Sequence, residues 1–225
     1  MKRIVIIHTS LVSIDLLMRL FAEHCPDINV YNIIDDSLLD EVSRAGYVTD
    51  GVQNRMNAYI AQAASLNPDL ILNQCSSVGE AFEKGCVSLT VPALRIDAPM
   101  AEQAASICPE NGKITVVATV KSTVAPSVHL VESKVKASGK NLAVDSVLID
   151  GALDILMKEK NRAKHDDILS KSVRDACAAC DAIVLAQGSM YEISRKMQDF
   201  GKPVLSSPLL GVLKVKDILF GGAAL

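Results

Sequence analysis

The sequence is constrained most by an alternation. Short apolar runs recur at RIVII (3–7), INVYNII (28–34), DLILN (69–73), ALRI (93–96), KITVVAT (113–119), LAVDSVLI (142–149), AIVLA (182–186) and PVLSS (203–207). Helical patterns lie between them: IDLLMRLFAEH, VQNRMNAYIAQAASL, APMAEQAASI, VAPSVHLVESKVKASG, GALDILMKEK, DILSKSVRDACAAC and VLKVKDILF. Strands alternating with helices of this length predict βαβ units and mostly parallel sheets. In such sheets the loops after the strand C-termini carry the ligand site.

The order also repeats. The first half ends in DLILNQCSS and a short strand after VP, the second in DAIVLAQGS and a strand after KP. From first strand to polar-ended strand the separations are about 67 and about 69 residues. The expected fold class is α/β: two pseudo-equivalent lobes with mostly parallel sheets flanked by helices, and an active-site cleft between them. The boundary is expected near CPENGK, with residues 1–110 in the first lobe and 111–225 in the second. A return of the C-terminus to the first lobe is left open.

The bulk numbers exclude several function classes. At 225 residues the chain can bury a sizeable core. A net charge of −3 and short basic patches give no footprint for nucleic acid, and aromatics at 4% with no Trp give no base-stacking platform. No apolar run approaches the about 18 residues of a membrane span, and KRIVIIH is too short for a secretory signal, so a cytoplasmic location without membrane association is expected. The six cysteines are expected as reduced thiols. Cys177 and Cys180 form a CxxC, but they sit on an apolar stripe without a second Cys or His pair, which points to core packing rather than metal or redox use. Neither GxGxxG nor GxxxxGK[ST] occurs, so a dinucleotide or P-loop site has no sequence support; nor does GxSxG, so a serine hydrolase has none.

What remains is polar residues at strand ends. His8, Thr9 and Ser10 follow the first strand; Asn73, Cys75, Ser76 and Ser77 end or follow the third; Thr119, Ser122 and Thr123 follow the fifth; and Gln187, Gly188 and Ser189 follow the seventh. Taken singly, each hydroxyl reads as a helix N-cap. As a set at consecutive strand ends, with unpaired backbone N–H groups beside them, they can hold a carboxylate. Cys75 reads either as a buried small hydrophobe or as a thiol made more acidic by nearby N–H groups. His8 reads as a capping or buried partner, or as a proton carrier. His165 and Asp166 begin a helix in NRAKHDDIL; they are either exposed or, if the preceding loop folds inward, His165 is a second acid–base candidate. Lys121 and Arg95 are positive options for an anionic substrate, and Glu80 reads as a solvated helix residue.

These motifs together resemble the aspartate/glutamate/hydantoin racemase superfamily: the opening IVIIHT, the NQCSS loop, the ATVKST loop, HDDIL, IVLAQGSM and the terminal KPVLSSPLLGV. The resemblance implies two similar α/β lobes, no cofactor and no metal, a small carboxylic-acid substrate, and a homodimer or higher homo-oligomer. It places the family's first cysteine on Cys75. The second falls on Gln187, which cannot cycle a proton at ordinary pH, so the chain reads as a divergent member lacking the second catalytic cysteine. The implied activity is a cofactor-independent isomerase or epimerase using proton transfer at Cys75, with His8 and His165 as candidates for a second base. The alternatives are a related carbon–carbon lyase or decarboxylase, in which Cys75 reprotonates an enolate, and a non-catalytic carboxylate-binding protein.

Overall fold

The computed structural model describes residues 1–176 and 178–221. The chain forms two compact units. The first comprises Met1–Pro99 and the segment from Pro208 onward; the second is Met100–Ser207.

In the first unit the order is β1 (Lys2–His8), α1 (Ile14–His24), β2 (Ile28–Ile34), α2 (Ser37–Ala45), α3 (Asp50–Ser65), β3 (Leu70–Asn73), a 3-10 turn (Ser76–Val78), α4 (Gly79–Gly85) and β4 (Ala93–Arg95). Helix α5 (Ala98–Ile107) carries the unit boundary. The second unit runs β5 (Lys113–Ala118), α6 (Lys121–Ser138), β6 (Ala143–Leu148), α7 (Ala152–Met157), α8 (Arg162–Ala176), β7 (Ala182–Leu185), a 3-10 turn (Gly188–Met190), α9 (Tyr191–Lys196), a 3-10 turn (Gln198–Phe200) and β8 (Val204–Ser206). Helix α10 (Ser207–Phe220) then enters the first unit.

Both sheets are parallel and four-stranded among the described residues, in the orders β2-β1-β3-β4 and β6-β5-β7-β8. The central strands explain the unbroken apolar runs: Ile4 to Ile7 and Ala182 to Leu185 are fully buried, as strands covered on both faces must be. The edge strands β2 and β6 alternate with exposed positions instead, and they carry the polar Asn29, Asn32, Asp145 and Ser146. One core of the first unit packs Val5, Ile7 and Ile71 against Leu38, Val42, Val52, Met56, Ile60 and Phe82 from α2, α3 and α4. Its counterpart packs Val117, Ile183 and Leu185 with Ala152, Leu169, Val173 and Ile193. Each such Val, Leu or Ile removed from water contributes about 1.5–3 kcal/mol before conformational entropy is subtracted.

The register makes the repeat concrete. Ile7 pairs with Asn73 in one sheet and Val117 with Leu185 in the other. The ladder ends identically, with Gln74 N–H donating to the Ile7 carbonyl at 3.0 Å and Ala186 N–H to the Val117 carbonyl at 2.9 Å. Thr9 therefore corresponds to Thr119, Cys75 to Gln187, and Ser77 to Ser189.

Several local expectations shift. Helix α6 starts at Lys121, so Ser122 and Thr123 lie in its first turn rather than in a loop before it. Helix α8 starts at Arg162 and ends at Ala176, so Cys180 is not on it; Cys180 is buried in the second unit's core, and Cys177 lies outside the described residues. Helices α2, α4 and α9 had no counterpart in the helical patterns read from the sequence. No helix among the described residues is long and apolar enough to cross a membrane.

Candidate functional site

The first-unit loop is built around Cys75. This residue is the extended N-cap of the 3-10 turn, at φ −113° and ψ 121°. Asn73, the last residue of β3, donates from its side-chain amide to the Cys75 carbonyl at 2.9 Å, which fixes the path of the loop; its own Oδ1 is buried without a partner among the described residues. Burial pushes the Cys75 thiol up from its ordinary pKa. The Thr9 hydroxyl, the backbone N–H groups of Ser77 and Val78 and the Ser77 hydroxyl each pull it part of the way back. The expectation of a thiol made more acidic by turn N–H groups is thus corrected: those groups are present, but desolvation of the charged form outweighs them. Ser76, Ser77 and Thr9 are buried, and Ser10 is half-buried.

His8 is completely buried at the end of β1. Its Nε2 lies 2.8 Å from Asn32 Oδ1 on β2, and its Nδ1 is without a partner among the described residues. Burial lowers its pKa, which the Asn32 bond only partly offsets, so the ring is held neutral. Side chains alternate along a strand, and Cys75 packs with the cluster that contains Val5 and Ile7. His8, one residue beyond Ile7, therefore emerges on the other face of the sheet.

Arg95 and Lys121 were options for an anionic substrate. Arg95 is buried, and its guanidinium is committed within the protein: Nε and Nη2 donate to Asp97 at 3.0 and 2.9 Å, and Nη1 to Glu83 at 3.2 Å. Lys121 is exposed. The Arg-x-Asp spacing, which puts both side chains on one side of an extended segment, is the signal that marks this pair in the sequence.

The second-unit loop has the same backbone and different chemistry. Gln187 is the extended N-cap of its 3-10 turn, at φ −123° and ψ 143°. Its Oε1 accepts from the Thr119 N–H at 3.0 Å, with the Thr119 hydroxyl at 3.5 Å. Gln187 Nε2 and Ser189 Oγ are both buried without partners among the described residues. Gly188 lies half-buried between them, and Ser122 and Thr123 are buried in the first turn of α6.

His165 and Asp166 are buried, not exposed. His165, Leu169 and Val173 fall on one stripe of α8 at a spacing of four, and all three are inaccessible to solvent; that periodicity is the signal that places the histidine inward. His165 Nδ1 lies 2.9 Å from Asp166 Oδ1. Lys196 holds the other carboxylate oxygen at 2.9 Å, and Arg162 stands 3.8 Å from Oδ1. Burial alone would raise the Asp166 carboxyl, but the hydrogen bonds from His165 and Lys196 and the nearby Lys196 and Arg162 charges outweigh it and hold it below the usual carboxylate range. Arg162 also donates to the Ser189 carbonyl at 2.8 Å. Sequence reading singled out neither Arg162 nor Lys196. Among the described residues no cluster of three or more His, Cys, Asp or Glu side chains could hold a metal ion.

No protein-family model matches the chain, and no curated protein matches it in sequence. Solved structures do match in fold. The glutamate racemase isoform RacE1 from Bacillus anthracis is 14% identical with a TM-score of 0.69, over 97% of this chain and 81% of that one. An aspartate racemase from Picrophilus torridus is 18% identical with a TM-score of 0.66, over 97% and 94%. An allantoin racemase from Klebsiella pneumoniae is 16% identical with a TM-score of 0.68, over 100% and 90%. The chain thus shares its fold with these racemases.

Proposed function

We propose that the protein is a cofactor-independent isomerase or epimerase that moves a proton on a small carboxylic acid through Cys75. The observation that carries this reading is the set of donors around one half-buried sulfur: the Thr9 hydroxyl and the N–H groups of Ser77 and Val78. A neutral thiol in such a setting can give a proton to carbon, and the same donors stabilise the thiolate that remains. The reverse step uses the thiolate as the base. Similarity in fold to enzymes named as glutamate, aspartate and allantoin racemases supports the reaction class.

In this reading Thr9, Ser10, Asn73, Ser76, Ser77, Thr119, Ser122, Thr123, Gln187, Gly188 and Ser189 supply substrate-holding groups. A second reading has one observation in its favour: an amide, Gln187, stands where the repeat would supply another thiol. Single-thiol chemistry of the lyase or decarboxylase kind needs only one proton carrier. We further propose a homodimer or higher homo-oligomer; light scattering that returned the mass of one chain at every concentration would reject it.

The test is deuterium incorporation in heavy water. D- and L-aspartate, D- and L-glutamate and both allantoin enantiomers serve as probes, with mass spectrometry and chiral separation as readouts. The wild type is expected to label at least one probe, and Cys75→Ser to slow labelling about 100-fold or more, because a serine hydroxyl is a far poorer acid and base. Labelling that persists at the parental rate in Cys75→Ser would sink the role of Cys75. Calorimetric binding of a probe without any labelling would point to the non-catalytic carboxylate binder.

A further inference from the structure

The turn that leads into β5 carries a chemically labile pair of residues that the fold does not let the sequence replace. The Gly112 N–H closes this turn by donating to the Pro109 carbonyl at 2.9 Å. Asn111 is exposed and has φ +60°, in the left-handed region that asparagine tolerates and most residues avoid. Gly112 is buried, and a Cβ there would stand 2.7 Å from the Pro109 carbonyl oxygen, 2.9 Å from Cys108 Sγ and 3.1 Å from Asp181 Oδ2. One position thus favours asparagine, and the next admits only glycine.

Together they make an Asn-Gly step, which occurs nowhere else in the chain. The side-chain amide of an asparagine is open to attack by the backbone nitrogen of the residue that follows, and glycine, having no Cβ, shields that nitrogen least. Among the described residues the other asparagine at positive φ is Asn67 at +48°, and it precedes Pro68, whose nitrogen has no proton to lose. Asp50-Gly51 and Asp150-Gly151 offer carboxylates instead, whose negative charge resists the same attack.

We propose that Asn111 is a site of spontaneous covalent modification, deamidating through a succinimide to aspartate and isoaspartate. In the first step the Gly112 nitrogen loses its proton and bonds to Asn111 Cγ, and the Cγ–Nδ2 bond breaks to release ammonia. Charge gathers on Asn111 Oδ1 as the ring closes, and that oxygen accepts from Asn141 Nδ2 at 2.9 Å. Water then opens the ring at either carbonyl. Breaking the bond from Gly112 N to Cγ gives aspartate; breaking the bond from Gly112 N to the Asn111 backbone carbonyl carbon gives isoaspartate, in which the main chain runs through the former side chain. The two products differ in consequence. Aspartate keeps the backbone path and an oxygen for Asn141. Isoaspartate inserts a carbon into the main chain just before the Gly112 carbonyl, which accepts from the Ala143 N–H at 2.9 Å where β5 and β6 begin to pair. The close contacts around Gly112 leave no slack for the longer chain, so this product loosens the start of β5.

The test keeps the intact, folded protein in mildly alkaline buffer at physiological temperature and samples it over time. Digestion at low pH with peptide mass spectrometry locates each deamidated asparagine, and enzymatic methyl transfer to the free isoaspartyl carboxyl scores that product. Asn111 is expected to react about tenfold or more faster than any other asparagine in the chain, because it alone precedes a glycine. An Asn111 that stays intact, or that reacts no faster than the others, overturns the proposal. The isoaspartyl fraction, separated by chromatography, is expected to unfold at a lower urea concentration than the parent, whereas Asn111→Asp, which keeps the backbone path, is expected to unfold at the parental midpoint. An isoaspartyl fraction as stable as the parent overturns the loosening of β5.

Discussion

The guanidinium of Arg95 occupies the space that a side chain at Gly79 would need. A Cβ built on Gly79 would stand 2.3 Å from Arg95 Cζ and 2.5 Å from Nε. Gly79 opens α4 directly after the turn that holds Cys75, so the turn rests on a buried ion pair. This close approach, not a special backbone angle, is what the position demands: Gly79 has an ordinary helical φ of −58°.

Gly79→Ala should therefore destabilise the protein by about 1–3 kcal/mol, the usual cost of overpacking, because either the guanidinium or the turn must move. Urea unfolding measures it. A midpoint equal to that of the parent would show that the contact is loose.

The pair itself should be hard to break from one side. Arg95 and Asp97 are 3% and 2% exposed in their side chains, so removing Asp97 leaves a buried guanidinium whose remaining ion-pair contact is the solvent-facing Glu83 carboxylate at 3.2 Å. Asp97→Asn should cost about 3–5 kcal/mol, whereas Arg95→Met with Asp97→Leu should recover most of that loss. A double variant no more stable than the single one would show that the pair is needed beyond its own charge balance.

His8 should make stability fall on mild acidification. Its native pKa is lowered by burial, so below about pH 6.5 the unfolded chain binds a proton that the native protein does not. The contribution is complete above about pH 6.5 and is lost as pH falls toward the native value, with a slope of up to about 1.4 kcal/mol per pH unit. His8→Gln should flatten that part of the profile between pH 7.5 and 5.5. A parental profile that is already flat there would contradict the buried neutral ring.

Gln187 should be detectable through the backbone of Thr119. Its Oε1 is the acceptor for the Thr119 N–H, and Gln187→Met keeps the size but removes that acceptor. The expected cost is about 1–3 kcal/mol, with faster hydrogen exchange at the Thr119 amide, since a buried donor is left unpaired. Unchanged exchange there would mean that another acceptor takes over.

Strands were legible in the sequence because burial on both faces leaves no room for polar residues, as at Ile4–Ile7, and α1 was legible from its amphipathic spacing. Helices α4 (GEAFEKG) and α9 (YEISRK) span less than two full turns each, too short for a period to register. The polar strand ends were visible as residue types, and the repeat located Gln187 opposite Cys75 in the pattern. What sequence could not weigh was desolvation. The turn donors near Cys75 were foreseeable, but the cost of burying its charge depends on packing from α2, α3 and α4, which are distant in the chain. The same limit left the burial of His165 open, since its charged neighbours Arg162, Lys164 and Asp167 masked the inward stripe through Leu169 and Val173.

Helix α10 gives the two units an unequal history during synthesis. It belongs with the first unit, where Gly211 fits so closely over Ile96 that a Cβ would stand 2.4 Å from Cγ1. The whole of the second unit, Met100–Ser207, is encoded between β4 and that helix. On the ribosome the later-coded unit is therefore chemically complete first, and the unit that began the chain must wait, with Ile96 uncovered, for its last piece to emerge.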